Sequence, residues 1–546
     1  MRALAKPMAR GGSTGWLHFP WLVCLYLLLT VFIPIRPALA QDAGEIVSVL
    51  GTVEVLREGR WQPIGVGETL AVGEAARTAE GSRVAIQLAN GSQLKLNANT
   101  QLELKRTAPR EGLAPASTQP LQSILRVLGG EIWVRGNGEP LEIQTLPVVA
   151  TIRGTEFNLA VGPSDFARLA VLDGLVEFRN PQGSVLVAAN EQATAKLGAP
   201  PRKTVLLNPL DAVQWSLYYP GIVSYRDYPL SSSKPPQRSD TPPSQAAVQA
   251  LLDQGEASFD LGNRREARQA FTRALQLDPR DPRAHAGLGW VHLEAGEMEA
   301  ALGEFRQARP PTLMTLVGMA NALYRLNRLA EADQVIAEAK RRFPRSPMPW
   351  TQAALNDLIR GRVAEAQQAL DQALALDPQY ALAHGLRSNI YLVQNRKERA
   401  LAAAQQAVAA NPSSPSAYLD LSLAKQAEFQ LEDALRAARQ AVALDPENPQ
   451  ALIQESRLLF GMGRTREALR IARRARQRAP RDALVNSTWG FLQLARGRVN
   501  EANQAFQDAI AQDSTLGEPH LGLGLVLFRR NQTDTAVEAL RKSTLL

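Results

Sequence analysis

From Gly44 to about Leu207 the apolar side chains recur at every second residue. Val84, Ile86 and Leu88 alternate with polar or small neighbours, Asn90-Gly91 intervenes, and Leu94 and Leu96 resume, which is a hairpin signature. The pattern returns at Ile132 and Val134, with a turn at Asn137-Gly138, then at Leu141 and Ile143. It returns again at Leu169 and Val171, across Asp173-Gly174 to Val176 and Phe178, and across Asn180 to Gly183 to Val185 and Val187. Such closely spaced turns with no helical period between them predict an all-β sandwich, roll or short solenoid. The segment 107–120, TAPREGLAPASTQP, is too rich in Pro, Ser and Ala for a strand and reads as a mobile insertion.

Beyond residue 248 the period changes. EARQAFTRALQLDPRDP (266–282), EAQQALDQALALDPQY (365–380) and EDALRAARQAVALDPENP (432–449) are near copies of one another. Pro344, Pro378, Pro412, Pro446 and Pro480 are spaced by 34 residues, with a shortened unit between Pro279 and Pro344. Small residues recur in register as Ala267, Ala301, Ala332, Ala366, Ala400, Ala434, Ala468, Ala502 and Ala536, where two helices pack closest. Gly262, Gly296, Gly361, Gly463 and Gly497 mark turns, and the prolines stop each second helix. This register resembles the tetratricopeptide repeat (TPR), which implies an all-α superhelix of about nine helical pairs running to Leu546. The last unit stops without a polar capping helix, which predicts either that it packs on something else or that the chain continues.

Residues 1–40 carry a basic, acid-free start, the apolar run WLVCLYLLLTVFI (21–33) and Ala38-Leu39-Ala40, the layout of a cleaved secretory signal. The rival expectation is an uncleaved anchor. Cys24, the only cysteine, lies in that run, so a cleaved chain has no disulfide, thiolate metal site or cysteine nucleophile. The net charge of +8 is about half due to this segment, which leaves little support for nucleic-acid binding. The organisation expected is therefore a signal over 1–40, a β domain over 41–207, an aromatic tether and Pro/Ser-rich linker over 208–247, and the repeats over 248–546. In the tether, Trp215, Tyr218, Tyr219, Tyr225 and Tyr228 are expected to pack against the β domain or the first repeat, the alternative being an exposed partner site.

Residues 81–104, 128–161 and 171–195 present in order a hairpin with Ala89-Asn90-Gly91-Ser92, the Gly-Glu of strand GGEIWV, Arg153-Gly154-Thr155 followed by Phe157, and Gly174-Leu175-Val176. Together they are similar to the FecR-type periplasmic domain; Asn90 stands where that family usually has Asp, and 107–120 lengthens one connection. The family is known for relaying a signal from an outer-membrane transporter to a cytoplasmic sigma factor. That role needs a cytoplasmic segment, and only some twenty residues precede the apolar run, so the role is not carried over. Around Arg153-Gly154 the apolar parity changes from even (Leu146, Val148, Ile152) to odd (Phe157, Leu159, Val161), which predicts a structural bend. In that reading Gly154 serves the backbone, Arg153 pairs with Glu156, and Gly154→Val unfolds the β half.

Catalytic patterns are not found. His285, His384 and His520 share one repeat register and read as packing residues, and no acid or cysteine completes a metal site with His292. GLGW (287–290), GMGR (461–464) and GLGL (522–525) are glycines of the repeat register rather than phosphate loops. No catalytic residue, metal or cofactor is assigned. The TPR resemblance implies a concave peptide groove, with Trp290, Asn321, Tyr324, Asn389, Arg457, Phe460, Phe491 and Phe528 as candidates. A carboxylate clamp is not implied, because Val317 and Gly385 stand where lysine is wanted. The groove is expected to take an extended or helical apolar segment, with Asn321, Asn389 and Arg457 as anchors. The function expected is a noncatalytic exported scaffold of a Gram-negative periplasm or envelope. It binds a protein or peptide, no nucleic acid, and a membrane only through an uncleaved signal. The alternatives are a FecR-like anchored transducer regulating a sigma factor and a wall- or polysaccharide-binding module.

Overall fold

The computed structural model describes residues 42–106, 123–162, 165–205, 212–216, 230 and 243–546. The 107–120 insertion and Tyr218, Tyr219, Tyr225 and Tyr228 lie outside these. The strands are β1 (Asp42–Leu50), β2 (Val53–Arg57), β3 (Arg60–Pro63), β4 (Thr69–Ala71), β5 (Ala75–Thr78) and β6 (Arg83–Leu88). They continue as β7 (Gln93–Leu96), β8 (Gln101–Arg106), β9 (Ser123–Arg135), β10 (Pro140–Gln144), β11 (Val149–Arg153) and β12 (Glu156–Gly162). The last are β13 (Phe166–Asp173), β14 (Leu175–Asn180), β15 (Gly183–Ala188), β16 (Glu191–Lys196) and β17 (Arg202–Val205).

These strands form two layers joined through β9. Its first half, Ser123 to Gly129, pairs with β8 and β10; its second half, Gly130 to Arg135, pairs with β7 and β12. Inward residues of both layers, among them Ile46, Val55, Ile86, Leu104, Leu125, Phe157 and Phe178, make one buried core. The chain changes layer repeatedly, and at Gly51, Gly81, Gly130, Gly154 and Gly174 it does so with positive φ. Gly130 has no room for a side chain: a Cβ there would meet Thr100 and come within 2.7 Å of the Asn99 carbonyl. Gly154, at φ +64°, leads from β11 in one layer to β12 in the other, and a Cβ there would find only Gly138, 3.5 Å away. Its constraint is thus backbone conformation, not space.

Eighteen α-helices follow. The first five pairs are α1 (Pro243–Asp260) and α2 (Arg264–Leu277), α3 (Pro282–Glu294) and α4 (Met298–Gln307), α5 (Leu313–Arg325) and α6 (Leu329–Arg342), α7 (Met348–Ile359) and α8 (Val363–Leu376), α9 (Ala381–Val393) and α10 (Lys397–Ala410). The remaining pairs are α11 (Pro415–Ala427) and α12 (Leu431–Leu444), α13 (Pro449–Gly461) and α14 (Thr465–Arg478), α15 (Ala483–Ala495) and α16 (Val499–Gln512), α17 (Gly517–Arg529) and α18 (Thr533–Leu545). Helix already runs at Pro243, upstream of residue 248. Asp281, Thr312, Ser414, Asn448 and Asp482 cap the odd-numbered helices that follow them, each accepting from backbone N–H groups of the first turn. The recurring alanines Ala267, Ala301, Ala332, Ala366, Ala400, Ala434, Ala468 and Ala502 are all fully buried.

Contrasting packing solutions share the repeat register. Where the even helix carries Phe271, Phe305 or Phe506, the odd helices on both sides carry glycine: Gly255 with Gly287, Gly289 with Gly318, and Gly490 with Gly522. A Cβ at Gly255 or Gly289 would lie 2.6 Å from the ring, so the glycines make the volume that phenylalanine fills. In three of the units between, the even helix has Ala404, Ala438 or Ala472, and the preceding odd helix has serine; α6 and α8 instead carry Ile336 and Leu370, preceded by Ala320 and Ala354. Ser388, Ser422 and Ser456 donate to the carbonyls of Ala400, Ala434 and Ala468 at 2.8, 2.9 and 2.9 Å.

The terminal helix α18 packs on the β domain. Leu545 is fully buried in a cluster with Val47, Ala85 and Trp133 from the outer face of one layer and Val213 and Trp215 from the tether. Gln93 donates to the Arg541 carbonyl and to Thr544 Oγ1, Arg135 donates to the Thr544 carbonyl, and Lys542 pairs with Glu45. A second contact lies on the turns within the third, fourth and fifth helix pairs. There Gly51 N–H donates to Asn327 (3.0 Å), Arg83 donates to the carbonyls of Trp215 and Ile359, and Gln394 donates to Gln214 (3.3 Å). The β domain therefore covers apolar surface of α18, which agrees with the expectation that the last unit packs on something else.

Candidate functional site

The odd helices stack side by side, and side chains one helix apart are tied at a spacing of 31 residues. Asn321 in α5 donates to Gln352 in α7 (3.1 Å), Asn389 in α9 to Asp420 in α11 (3.1 Å), and Arg457 in α13 to Thr488 in α15 (2.9 Å). Arg457 also pairs with Glu518 in α17, so one guanidinium links three consecutive odd helices. These partners stand at the register position that is glycine in the Phe-type units, so the polar ladder exists where the phenylalanine does not.

The candidate groove residues divide in two. Asn321 and Asn389 are buried and committed to the ladder. Trp290 departs from the expected groove lining: it is fully buried in the core of the first repeats, edge-on to Phe305 at 6.0 Å. Tyr324, Phe460 and Phe491 are half-buried, with Phe491 edge-on to Phe506 at 4.9 Å. Phe528 is 65% exposed, and on the same face of α17 so are Leu525 (39%) and Leu521 (40%). Leu521 was missed by the groove positions; its signal is the spacing of four and seven residues to Leu525 and Phe528, a stripe on one helix face.

The histidines act on the connecting turns. His285 and His384 reach the carbonyls of Pro279 and Pro378 through Nε2, at 3.2 and 2.9 Å, and Asn486 at the same register reaches Pro480. Each tie spans six residues and fixes the turn entering an odd helix. His285 Nδ1 also meets Glu304 (2.7 Å). His520 instead lines a cavity of about 460 Å³ between β1 and the last three helices, with Glu45, Leu523, Leu527 and Lys542; burial and then the Lys542 charge push its pKa down to about 4. Among the described residues no group of three or more His, Cys, Asp or Glu is placed to hold a metal, and no helix is long and apolar enough to cross a membrane.

In the FecR-like motif, Thr155 is buried and donates to the Leu175 carbonyl (3.0 Å), and Phe157 is fully buried. The side chain of Arg153 lies outside the described residues. Glu156 is held instead by its cross-strand neighbour Arg135 (3.0 Å) and by Trp133 Nε1 (3.1 Å), because the layer change turns it to the face of β12 that meets β9. Trp215 donates to Asn158 (3.2 Å) and so seats the tether on that same face. Beside it Lys95 donates to the Ser216 carbonyl (2.8 Å), below the Trp133 ring. Burial, reinforced by Arg83 and Arg135, holds the Lys95 ammonium at a pKa of about 7.

Residues 74–177 match the model described as FecR protein. Residues 426–488 and 488–544 match two tetratricopeptide repeat models, and residues 230–451 match the C-terminal domain of cilia and flagella-associated protein 70. No curated protein matches the chain. Among solved structures it is similar to the anaphase-promoting complex hetero-tetramer Cut9–Hcn1, at 14% identity and TM-score 0.45 over 55% of this chain and 60% of that one. It is also similar to a tetratricopeptide repeat protein of Parabacteroides merdae (14%, TM-score 0.32, 55% of this chain and 99% of that one). A third likeness is to a putative anti-sigma factor of Parabacteroides distasonis (19%, TM-score 0.22, 27% of this chain and 68% of that one). The sequence register, the layered strands and the paired helices agree with these models, and the chain joins a FecR-type domain to an array of tetratricopeptide repeats.

Proposed function

We propose that the protein is a noncatalytic adaptor of the bacterial cell envelope, in which the last repeats bind an apolar segment of a protein partner. The observation that carries this reading is the exposed row Leu521, Leu525 and Phe528 on α17, which continues the half-buried Phe491 and Phe460 of α15 and α13. Earlier in the wall Trp290, Asn321 and Asn389 are buried and Tyr324 is half-buried, so the exposed members of the row are those on α17. An apolar row of this kind takes the hydrophobic face of a helix or the alternate side chains of an extended peptide. The FecR-type domain, seated on α18 and on the turns of the middle pairs, holds that surface at a fixed place relative to itself. Export through the N-terminal segment belongs to the same proposal.

The test is capture of partners from envelope extract by the intact protein and by Phe528→Glu with Leu525→Glu. Both positions are exposed, so helical content and thermal transition should be unchanged while the captured protein is lost. Equal capture by the double variant overturns the assignment of the surface. N-terminal sequencing of the exported protein tests location, with Gln41 as the expected first residue.

A further inference from the structure

The repeats are near copies, so each even helix shows solvent one outer row whose members can be compared position by position. In α10 the row reads Glu398, Ala402, Gln405, Ala409; in α8 it reads Ala364, Gln368, Asp371, Ala375; in α16 it reads Asn500, Gln504, Gln507, Ala511. All of these are exposed, and none is basic. In α14 the same row reads Arg466, Arg470, Arg473, Gln477. The helix as a whole carries six arginines and no lysine against the single acid Glu467.

The other arginines of α14 have structural duties. Arg474 donates to the Pro446 carbonyl (3.2 Å), Arg476 lies over the Trp489 ring (5.3 Å) and Arg478 pairs with Glu447. Arg466, Arg470 and Arg473 have no hydrogen bond or close ion pair among the described residues; Glu467, the acid on their helix, is paired with Arg464 and also faces Arg439, and the Arg470 charge acts on it only at longer range. Arg436 and Arg439 occupy the same row of α12 next door and are each matched to an acid, Asp433 and Glu455. A ridge of three unmatched like charges within about 10 Å on one helix face works against stability, and the other rows show that the fold does not need it.

We propose that the outer row of α14 is a docking site for an anionic phospholipid surface. Arginine suits it, because the planar guanidinium donates in a fork to phosphate oxygens. The shape favours a membrane over an acidic peptide. The row crests the outer side of its helix; the corresponding row of α16 carries no charge, and Arg436 and Arg439 in that of α12 are already paired with acids, so no free group beside the row is offered to a peptide backbone. A flat field of headgroups needs only the ridge. This contact is additional to any made by the N-terminal apolar run, and it is independent of the apolar row on α17.

The experiment is co-flotation of the full chain with vesicles of phosphatidylcholine alone and of phosphatidylcholine with about a third phosphatidylglycerol, in low and high salt. The wild type is compared with Arg466→Glu/Arg470→Glu/Arg473→Glu and with the triple lysine variant. The N-terminal segment is common to all three proteins, so the comparison isolates α14. Expected is a fall of about tenfold or more in affinity for anionic vesicles on charge reversal, a smaller fall with lysine, which keeps the charge but not the fork, and loss of the difference in high salt. Equal binding of wild type and reversal variant to anionic vesicles overturns the proposal. So does a reversal variant that loses only the capture of a polyglutamate peptide, and so does loss of vesicle binding accompanied by a lowered thermal transition that the lysine variant shares. Phe528→Glu should bind vesicles as the wild type does, which keeps this site separate from the groove.

Discussion

The β domain and the repeat array meet the same problem, bringing backbones close without losing core volume, and they solve it differently. In the array one register position is filled in several ways, two of them clearly contrasted. Phe271, Phe305 and Phe506 are flanked by glycine pairs, whereas Ala404, Ala438 and Ala472 are preceded by serines that donate to the even helix. In the β domain each passage between layers occurs once, and no second copy offers another solution. Redundancy makes the array legible and forgiving. The sheet corners are singular, and a failure at one is a failure of the domain.

That contrast breaks most visibly at Gly130. Gly130→Val forces a β-branched residue to positive φ against Thr100 and the Asn99 carbonyl; a loss of more than about 4 kcal/mol should abolish the β-sheet signal while helical signal remains. Gly154→Val, with open space around it, should cost only backbone strain of about 1–3 kcal/mol and leave the domain folded, a milder outcome than the bend read from sequence implied. Circular dichroism across a thermal scan separates the two.

In the array, Phe506→Ala leaves the volume between Gly490 and Gly522 empty and should cost about 3–5 kcal/mol. The reverse exchange sharpens the comparison. Ala472→Phe should destabilise by about 1–3 kcal/mol through overpacking, and adding Ser456→Gly and Thr488→Gly should recover most of it. If the triple variant is no better than the single one, the two solutions are not interchangeable units. Both are read from chemical denaturation.

The seam responds to pH. Lys95 has a folded pKa of about 7 against an ordinary value of 10.5, so between these values the unfolded chain binds more protons and stability rises with pH. The contribution, a few kcal/mol at most, should be present above about pH 10 and lost as pH falls through 7. Lys95→Met should flatten this profile in urea titrations at successive pH values. His520 adds an acid limb: its folded pKa of about 4 against 6.5 means stability present above 6.5 and lost as pH falls to 4. The smallest effect expected is Ser422→Ala, about 1 kcal/mol, since the Ala434 carbonyl lies inside a helix and loses only its second donor, and the Gln454 amide that Ser422 accepts from keeps Gln426.

Much of this was legible in the sequence because the interactions are local or repeat at a fixed spacing. The alternation at Val84, Ile86 and Leu88 marks β6, and the 34-residue prolines mark the helix pairs, since each turn is set by a few adjacent residues. The groove was less legible. Trp290 and Phe491 sit at comparable positions, yet one is sealed and the other half-open, because exposure depends on which residues the neighbouring helices present. Glu156 meets Arg135, 21 residues away, a partner that no local pattern shows because the pairing of β12 with β9 brings it there.

The sequence by itself determined the two periods, the pairing of helices and the turns between them, because helix and strand propensities and register act over a few residues to one repeat length. Only the tertiary structure decided that the end of the array is capped by the β domain. That contact joins Glu45 to Lys542 and Trp133 to Leu545, residues separated by most of the chain, and depends on the area two finished surfaces bury, which no local pattern encodes.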